Sequence, residues 1–252
     1  MARVPLPEAF LARPLAHRGL HGPGVPENSL AAARAAIAAG YGIELDLQPS
    51  ADGVAMVFHD ATLERMTARE GRVDSLTAAE LGALRLAGTD ETIPTFREFL
   101  GEVAGRVPVL VEIKSQDAYT GEHTGPLEEA AARDLAGYRG PVAVASFNPL
   151  SVAAMAQFAP DIPRGHITWS WEPPDPEEPV SEERAQHLRD IPDYEATGAS
   201  FISHEAADLA RPRVAELKSQ GARILCWTIT SPETEAEARK LAENVTFEGY
   251  LP

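Results

Sequence analysis

Gly42-Ile-Glu44-Leu-Asp46-Leu47 and Val109-Leu-Val-Glu112-Ile-Lys114 are the stretches whose reading decides the fold. Each is short, apolar and broken by polar residues two positions apart. Successive side chains of a strand point to opposite faces, so Glu44 and Asp46 point together, and so do Glu112 and Lys114. Apolar residues on one face and carboxylates toward the end of the other suit a parallel barrel, whose inward positions near the C-terminal strand ends face a pocket.

Working outward, strands are predicted over Leu15–His17, Gly42–Leu47, Val107–Ile113, Val142–Ser146, Ile162–Thr168, Ser200–Ser203, Arg223–Ile229 and Val245–Tyr250. Between them, segments of helical period run over Ser29–Ala39, Leu127–Leu135, Leu150–Phe158, Arg211–Gln220 and Pro232–Ala242. Several open on serine, threonine or proline and close on glycine or asparagine, as helix ends prefer. Eight strands with intervening helices predict a (β/α)8 TIM barrel, and 252 residues is an ordinary length for one such domain over residues 1–252. A doubly wound open sheet is the alternative. It lacks support, because no Gly-x-Gly-x-x-Gly turn follows the first strand.

Two segments break the repeat. From Asp52 to about Gly105, a turn and a short strand, Val54–Phe58, lead into turns and small helices. This reads as an insertion after strand 2, on the side where barrel active sites lie. The second, Pro173 to Glu183, is rich in proline, aspartate and glutamate and reads as a solvated loop, with a lid as the other possibility.

The bulk composition narrows the function classes. A hydrophobic fraction of 44% and a charged fraction of 24% are those of a globular protein. The formal net charge of −16 would repel nucleic-acid phosphates and anionic lipid surfaces. Any anionic ligand handled here needs local positive charge, from a metal or a few placed cations. Cys226 is the only cysteine, so no intrachain disulfide forms, and its apolar neighbours make it a core residue. No apolar stretch of signal-peptide or membrane-spanning length occurs, which gives a cytoplasmic reading with no stable membrane anchor.

Glu44, Asp46 and Glu112 together bring three negative charges toward one mouth, a density that calls for a cation. A hard divalent ion would serve; salt bridges at the strand ends would also serve. His17 ends the first strand in Ala16-His17-Arg18-Gly19, and His59 follows the insertion's strand in Phe58-His59-Asp60. Two imidazoles close to a carboxylate-bound cation suit acid–base work near neutral pH. His166 and His204 are weaker candidates for the pocket rim.

Between Ala16 and Thr67 the chain contains His17-Arg18-Gly19, Pro26-Glu27-Asn28-Ser29, Glu44-Leu-Asp46, Asp52-Gly53, His59-Asp60 and Leu63-Glu-Arg65-Met-Thr67. This order of motifs resembles the glycerophosphodiester phosphodiesterase family. About fifteen positions agree, far beyond a single-motif match. The resemblance continues through Ile93-Pro94-Thr95-Phe96, Val111-Glu112-Ile113-Lys114, Ser146-Phe147 and Trp227-Thr228.

The resemblance implies a (β/α)8 barrel with an insertion after strand 2. It also implies one divalent metal, Mg²⁺ or Ca²⁺, on Glu44, Asp46 and Glu112, with His17 and His59 as acid–base pair. Arg18 and Lys114 would bind the phosphate, Trp227 the substrate, and Glu27 would reach the metal shell or orient His17. Asn28 or Ser29 caps the following helix. Two stretches depart from the family: Trp227-Thr228-Ile229-Thr230 where Trp-Thr-Val-Asn is usual, and Thr246-Phe247-Glu248-Gly249-Tyr250 where Thr-Asp-x-Pro is usual.

The reaction so implied is hydrolysis of a glycerophosphodiester, a small molecule, to glycerol phosphate and an alcohol. The attacking oxygen is water's or the substrate's own glycerol hydroxyl. A phospholipase D-like enzyme acting on lysophospholipid or sphingolipid head groups would need an apolar mouth, to which Trp169 and Trp171 could contribute. A barrel that only binds phosphodiesters would be expected to lack one of the histidines or carboxylates, and all are present.

Overall fold

The computed structural model describes residues 2–117, 123–172 and 180–252. Among them lie the strands β1 (Leu15–Ala16), β2 (Gly42–Pro49), β3 (Ala55–Val57), β4 (Val109–Ile113) and β5 (Val142–Ser146). The remaining strands are β6 (Arg164–Thr168), β7 (Phe201–Glu205), β8 (Arg223–Ile229) and β9 (Asn244–Phe247). Parallel pairings run from β1 to β2, β4 and onward to β9, and β9 pairs back with β1. The eight parallel strands close a (β/α)8 barrel, which excludes the open doubly wound sheet. β3 pairs antiparallel with β2 outside the ring.

The pleat divides the core in two. Ile43, Leu45, Leu47, Val109, Val111, Ile113, Val142 and Val144 point outward and are buried under the helices. Leu15, Leu110, Ala143, Ala145, Ile167, Phe201 and Leu225 fill the barrel, and Leu6 and Phe10 pack with them. Phe10 lies on the short helix Ala9–Ala12. Asn244 ties that helix down by donating 2.6 Å hydrogen bonds to the carbonyls of Phe10 and Arg13.

The outer helices follow local chemistry. Ser29 accepts from the Ala32 amide to open Leu30–Ala39, and Gly40 closes it with a left-handed φ of 75°. The other expected helices form over Pro126–Leu135, Pro149–Phe158, Pro212–Ser219 and Pro232–Ala238. Two more complete the described ring. Phe96–Val103 opens on a Thr95–Glu98 capping box and buries Phe96, Phe99, Leu100 and Val103 in the main core. Glu182–Asp190 is capped by Ser181 and buries Ala185 and Leu188 but few other apolar side chains, which is why its period is faint in sequence.

These helices redraw both irregular segments. The excursion expected to reach Gly105 ends near Thr95, because Phe96–Val103 is a barrel helix. Within it, Met56, Phe58, Leu63, Met66, Val73, Leu76, Leu81, Leu86 and Ile93 form a separate small core. The acidic, proline-rich segment falls largely outside the described residues, and its last residues already belong to the Glu182–Asp190 helix. Among the described residues no helix is long and apolar enough to cross a membrane.

Candidate active site

The barrel brings the predicted residues to one mouth. A pocket of about 470 Å³ is lined by His17, Arg18, Glu44, His59, Glu112 and Lys114 on one side, and by Phe147, Trp169, Glu205 and Trp227 on the other. Asp46 pairs in register with Glu112 on the adjacent strand, and each residue points inward because its neighbours in sequence point out. One carboxylate oxygen from each of Glu44, Asp46 and Glu112 lies within 4.8 Å of the others. All three residues are buried.

Burial and the adjacent Asp46 push the Glu44 carboxyl well above the usual carboxylate range. Burial would raise Asp46 too, but Lys114, His59 and Arg18 outweigh it and hold Asp46 low. Lys114 lies between two acids, its Nζ 2.8 Å from Asp46 Oδ1 and 2.6 Å from Glu112 Oε1. Burial opposes its charge, yet those neighbours push its pKa above the usual lysine range. Lys114 therefore meets the carboxylates as an ion-pair partner, where the sequence led us to expect a group held for phosphate. Buried, clustered oxygen donors of this kind fit a hard divalent cation.

Both histidines are oriented by acids that sequence reasoning missed. His17 Nδ1 lies 2.6 Å from Glu248 Oε2, and His59 Nδ1 lies 2.7 Å from Asp60 Oδ1. A carboxylate on Nδ1 fixes the proton there and leaves Nε2 for the reaction. The His17 hydrogen bond holds the Glu248 carboxyl below its ordinary range. Asp60 was visible as the residue after His59; Glu248 stood within the stretch that departs from the family pattern.

Arg65 connects the rest. It donates to Asp60 through Nε (2.6 Å) and to both oxygens of Glu27 through its terminal nitrogens (2.8 and 2.7 Å). Glu27 in turn accepts from Arg18, at 2.8 Å. Burial would raise Glu27, but Arg65 and Arg18 hold its pKa down to about 2. Glu27 thus meets two arginines, and among the described residues the clustered carboxylates are Glu44, Asp46 and Glu112.

Arg18 and Asn28 both have left-handed backbones, with φ of 55°. The turn lets the Arg18 amide donate to Glu44 Oε2 at 3.1 Å. It also demands glycine next, since a Cβ on Gly19 would meet Ala32 Cβ at 2.8 Å. Ser29 is the helix cap, whereas Asn28 donates from Nδ2 to Asp46 Oδ2 at 2.9 Å.

Some candidates fall away from the mouth. His166 and His204 lie on the outward face of β6 and β7, bonded to Thr197 and to Thr168 and Asp208, so neither forms a rim. Trp171 is buried against Ala185 and Leu188, and only Trp169 of that pair lines the pocket. Trp227 lines it too, with Nε1 donating to the Ser203 carbonyl at 3.0 Å.

Comparison with known proteins places the chain in a family. Residues 17–246 match the glycerophosphoryl diester phosphodiesterase family. A glycerophosphodiester phosphodiesterase of Caldanaerobacter subterraneus is 34% identical over 165 residues, which are 60% of this chain and 64% of that protein. Glycerophosphodiester phosphodiesterase 1 of Bos taurus is 40% identical over 97 residues, 35% of this chain and 29% of that protein. The chain thus spans less than two thirds of the length of these curated relatives. In fold it is similar to an Oleispira antarctica phosphodiesterase solved in complex with the product sn-glycerol-3-phosphate. That match has a TM-score of 0.78 and 22% identity, and covers 95% of this chain and 93% of the other. With the family's motifs assembled at the mouth of a closed barrel, the chain belongs to the glycerophosphoryl diester phosphodiesterase family.

Proposed function

We propose that this protein is an enzyme that hydrolyses glycerophosphodiesters to glycerol phosphate and an alcohol, using one divalent ion, Mg²⁺ or Ca²⁺. One observation carries the reading: two histidines line the same pocket as three clustered carboxylates, and each has its Nδ1 engaged by its own acid. Glu44, Asp46 and Glu112 would hold the ion, which when bound offsets their charge and polarises a phosphoryl oxygen.

The chain's own groups do the rest. Arg18, held by Glu27, presents its guanidinium to the phosphate, where charge builds in the transition state. His17 and His59 act through Nε2, one taking the proton of the attacking hydroxyl and the other giving a proton to the leaving alkoxide. Glu248 and Asp60 stabilise whichever imidazole becomes charged. Lys114 adds positive charge beside the acids. The single buried cysteine accords with a reducing, cytoplasmic setting.

The test is direct. Purified protein, freed of metal with a chelator, is offered a panel of glycerophosphodiesters with Mg²⁺, Ca²⁺ or chelator, and glycerol phosphate is measured. Turnover should require one of the two ions. Equal turnover in chelator would remove the metal from the reaction, and no turnover with any diester would remove the reaction itself.

A further inference from the structure

The two acids that orient the histidines are held differently. Asp60 meets His59 Nδ1 on one side and Arg65 on the other, which donates from Nε to Oδ2 at 2.6 Å and from a terminal nitrogen to Oδ1 at 3.0 Å. Both of its oxygens are fixed. Glu248 has no arginine clamp of this kind among the described residues. Its Oε2 meets His17 Nδ1 at 2.6 Å, and the other basic group within ion-pair reach is His21, whose Nε2 lies 3.9 Å from Oε1. The Glu248 side chain is 39% exposed and stands just after β9, before Gly249 with its left-handed φ of 78°. Packing alone does not hold so long a side chain, and one hydrogen bond at one oxygen leaves the carboxylate free to turn.

His21 comes from the loop between β1 and the Leu30–Ala39 helix, and that loop is braced. The Leu20 amide donates to the Ala32 carbonyl at 3.1 Å, the His21 amide to the Gly19 carbonyl at 3.0 Å, and Gly22 and Val25 exchange backbone hydrogen bonds at 2.9 Å. A fixed backbone therefore delivers the ring. Its Nε2 is buried without a hydrogen-bond partner, a costly state for a polar atom unless a partner moves into reach. Glu248 Oε1 is the carboxylate oxygen that faces it. Hydrogen bonds at reacting sites are often long before substrate binds and tighten in the complex. Burial lowers the His21 pKa against the pull of Glu248 and Glu27, so the ring is neutral and offers an N–H without adding charge beside Arg18. The pocket is lined by His17 but not by Glu248 or His21, so His21 can reach the chemistry only through Glu248.

We propose that His21 is a positioning residue for the reaction: its Nε2–H closes on Glu248 Oε1 and pins that carboxylate against His17 Nδ1. The inference rests on the reading of His17 as one of the acid–base pair. His21 is then to Glu248 what Arg65 is to Asp60. A pinned carboxylate keeps the His17 proton on Nδ1 and leaves Nε2 bare and aimed into the pocket. An unpinned one lets the ring turn and the two tautomers mix, and a small misplacement of the atom that moves a proton is costly in rate.

The experiment measures kcat and KM, at saturating ion, for whichever diester of the panel the parent cleaves fastest. His21→Leu removes the donor and keeps much of the bulk. Its kcat should fall about fivefold or more with KM within about twofold of the parent's, because the loss is felt in proton transfer and not in binding. In Glu248→Ala, whose own kcat is reduced, adding His21→Leu should cost less than about twofold more, since the group it acts through is gone. A smaller fall in kcat, a loss that appears in KM, or an equal cost in both backgrounds would overturn the inference. His21→Ala serves if His21→Leu does not fold. If the parent cleaves none of the diesters, the functional reading fails separately, and NMR of the imidazole nitrogens then decides the contact. His17 should be chiefly the Nδ1–H tautomer in the parent and should lose it in part to Nε2–H in His21→Leu; an unchanged tautomer refutes the positioning role.

Discussion

Replacing Lys114 with methionine separates its two roles. Its side chain is only 15% exposed, and its ammonium touches Asp46 and Glu112 at 2.8 and 2.6 Å. Methionine keeps the length and removes the charge, leaving three clustered carboxylates facing one another. Breaking a buried ion pair costs about 3–5 kcal/mol, because the abandoned charge stays desolvated. Arg18 remains 3.5 Å from Asp46 and the raised Glu44 carboxyl takes up a proton readily, so the lower end, about 3 kcal/mol, applies. For a domain of this size that lowers Tm by about 6–12 °C in chelator. The same carboxylates then have no ammonium to compete with a divalent ion. Added Mg²⁺ or Ca²⁺ should therefore raise the Tm of Lys114→Met by more than it raises that of the parent. Thermal unfolding followed by circular dichroism, with and without the ion, reads both quantities. Turnover at saturating ion should fall about 10²-fold, as for loss of one transition-state contact. An unchanged Tm in chelator, or an ion-induced shift smaller than the parent's, would refute the reasoning and make Lys114 a scaffold that the metal site needs.

Three further outcomes can be checked. His17→Ala and His59→Ala should each reduce turnover by about 10² or more with Tm close to the parent's, since each loses proton transfer and little packing; near-normal turnover would remove that histidine from the mechanism. Arg65→Met frees both Asp60 and Glu27. Because Arg65 is 47% exposed, Tm should move by only a few degrees, within the about 0.2–1 kcal/mol of an exposed pair. Its turnover should nevertheless fall about tenfold as His59 and Arg18 lose their supports, with a shifted pH–rate profile that a purely structural role would not produce. The third outcome concerns acid stability: burial pushes the His166 pKa down from 6.5 to about 4. The unfolded imidazole binds a proton that the folded one refuses, so its stabilising contribution is complete above pH 6.5 and is lost as the pH falls toward 4. The loss is on the order of 3 kcal/mol, and calorimetry of His166→Gln between pH 7 and 4.5 should show a flatter decline than the parent.

Sequence alone determined the architecture and named the candidate site residues. A period of two in short apolar runs and a longer helical period between them admit few closed folds. Carboxylates at alternate positions of Gly42–Leu47 must share a face whatever surrounds them. Helix caps such as Ser29, and Gly19 where a side chain has no room, are local demands that a sequence states openly. Tertiary structure decided which residues serve that set. Glu248 lies 231 positions from His17 in the chain, and Arg65 lies 38 from Glu27; only barrel closure and the path of the excursion bring them together. Side-chain direction along a strand is a local property, but which strands stand level with each other is set by the register of the whole ring. Lys114 shows the same limit: its strand face beside Glu112 was legible, yet the pairing of β2 with β4 brought Asp46 to it.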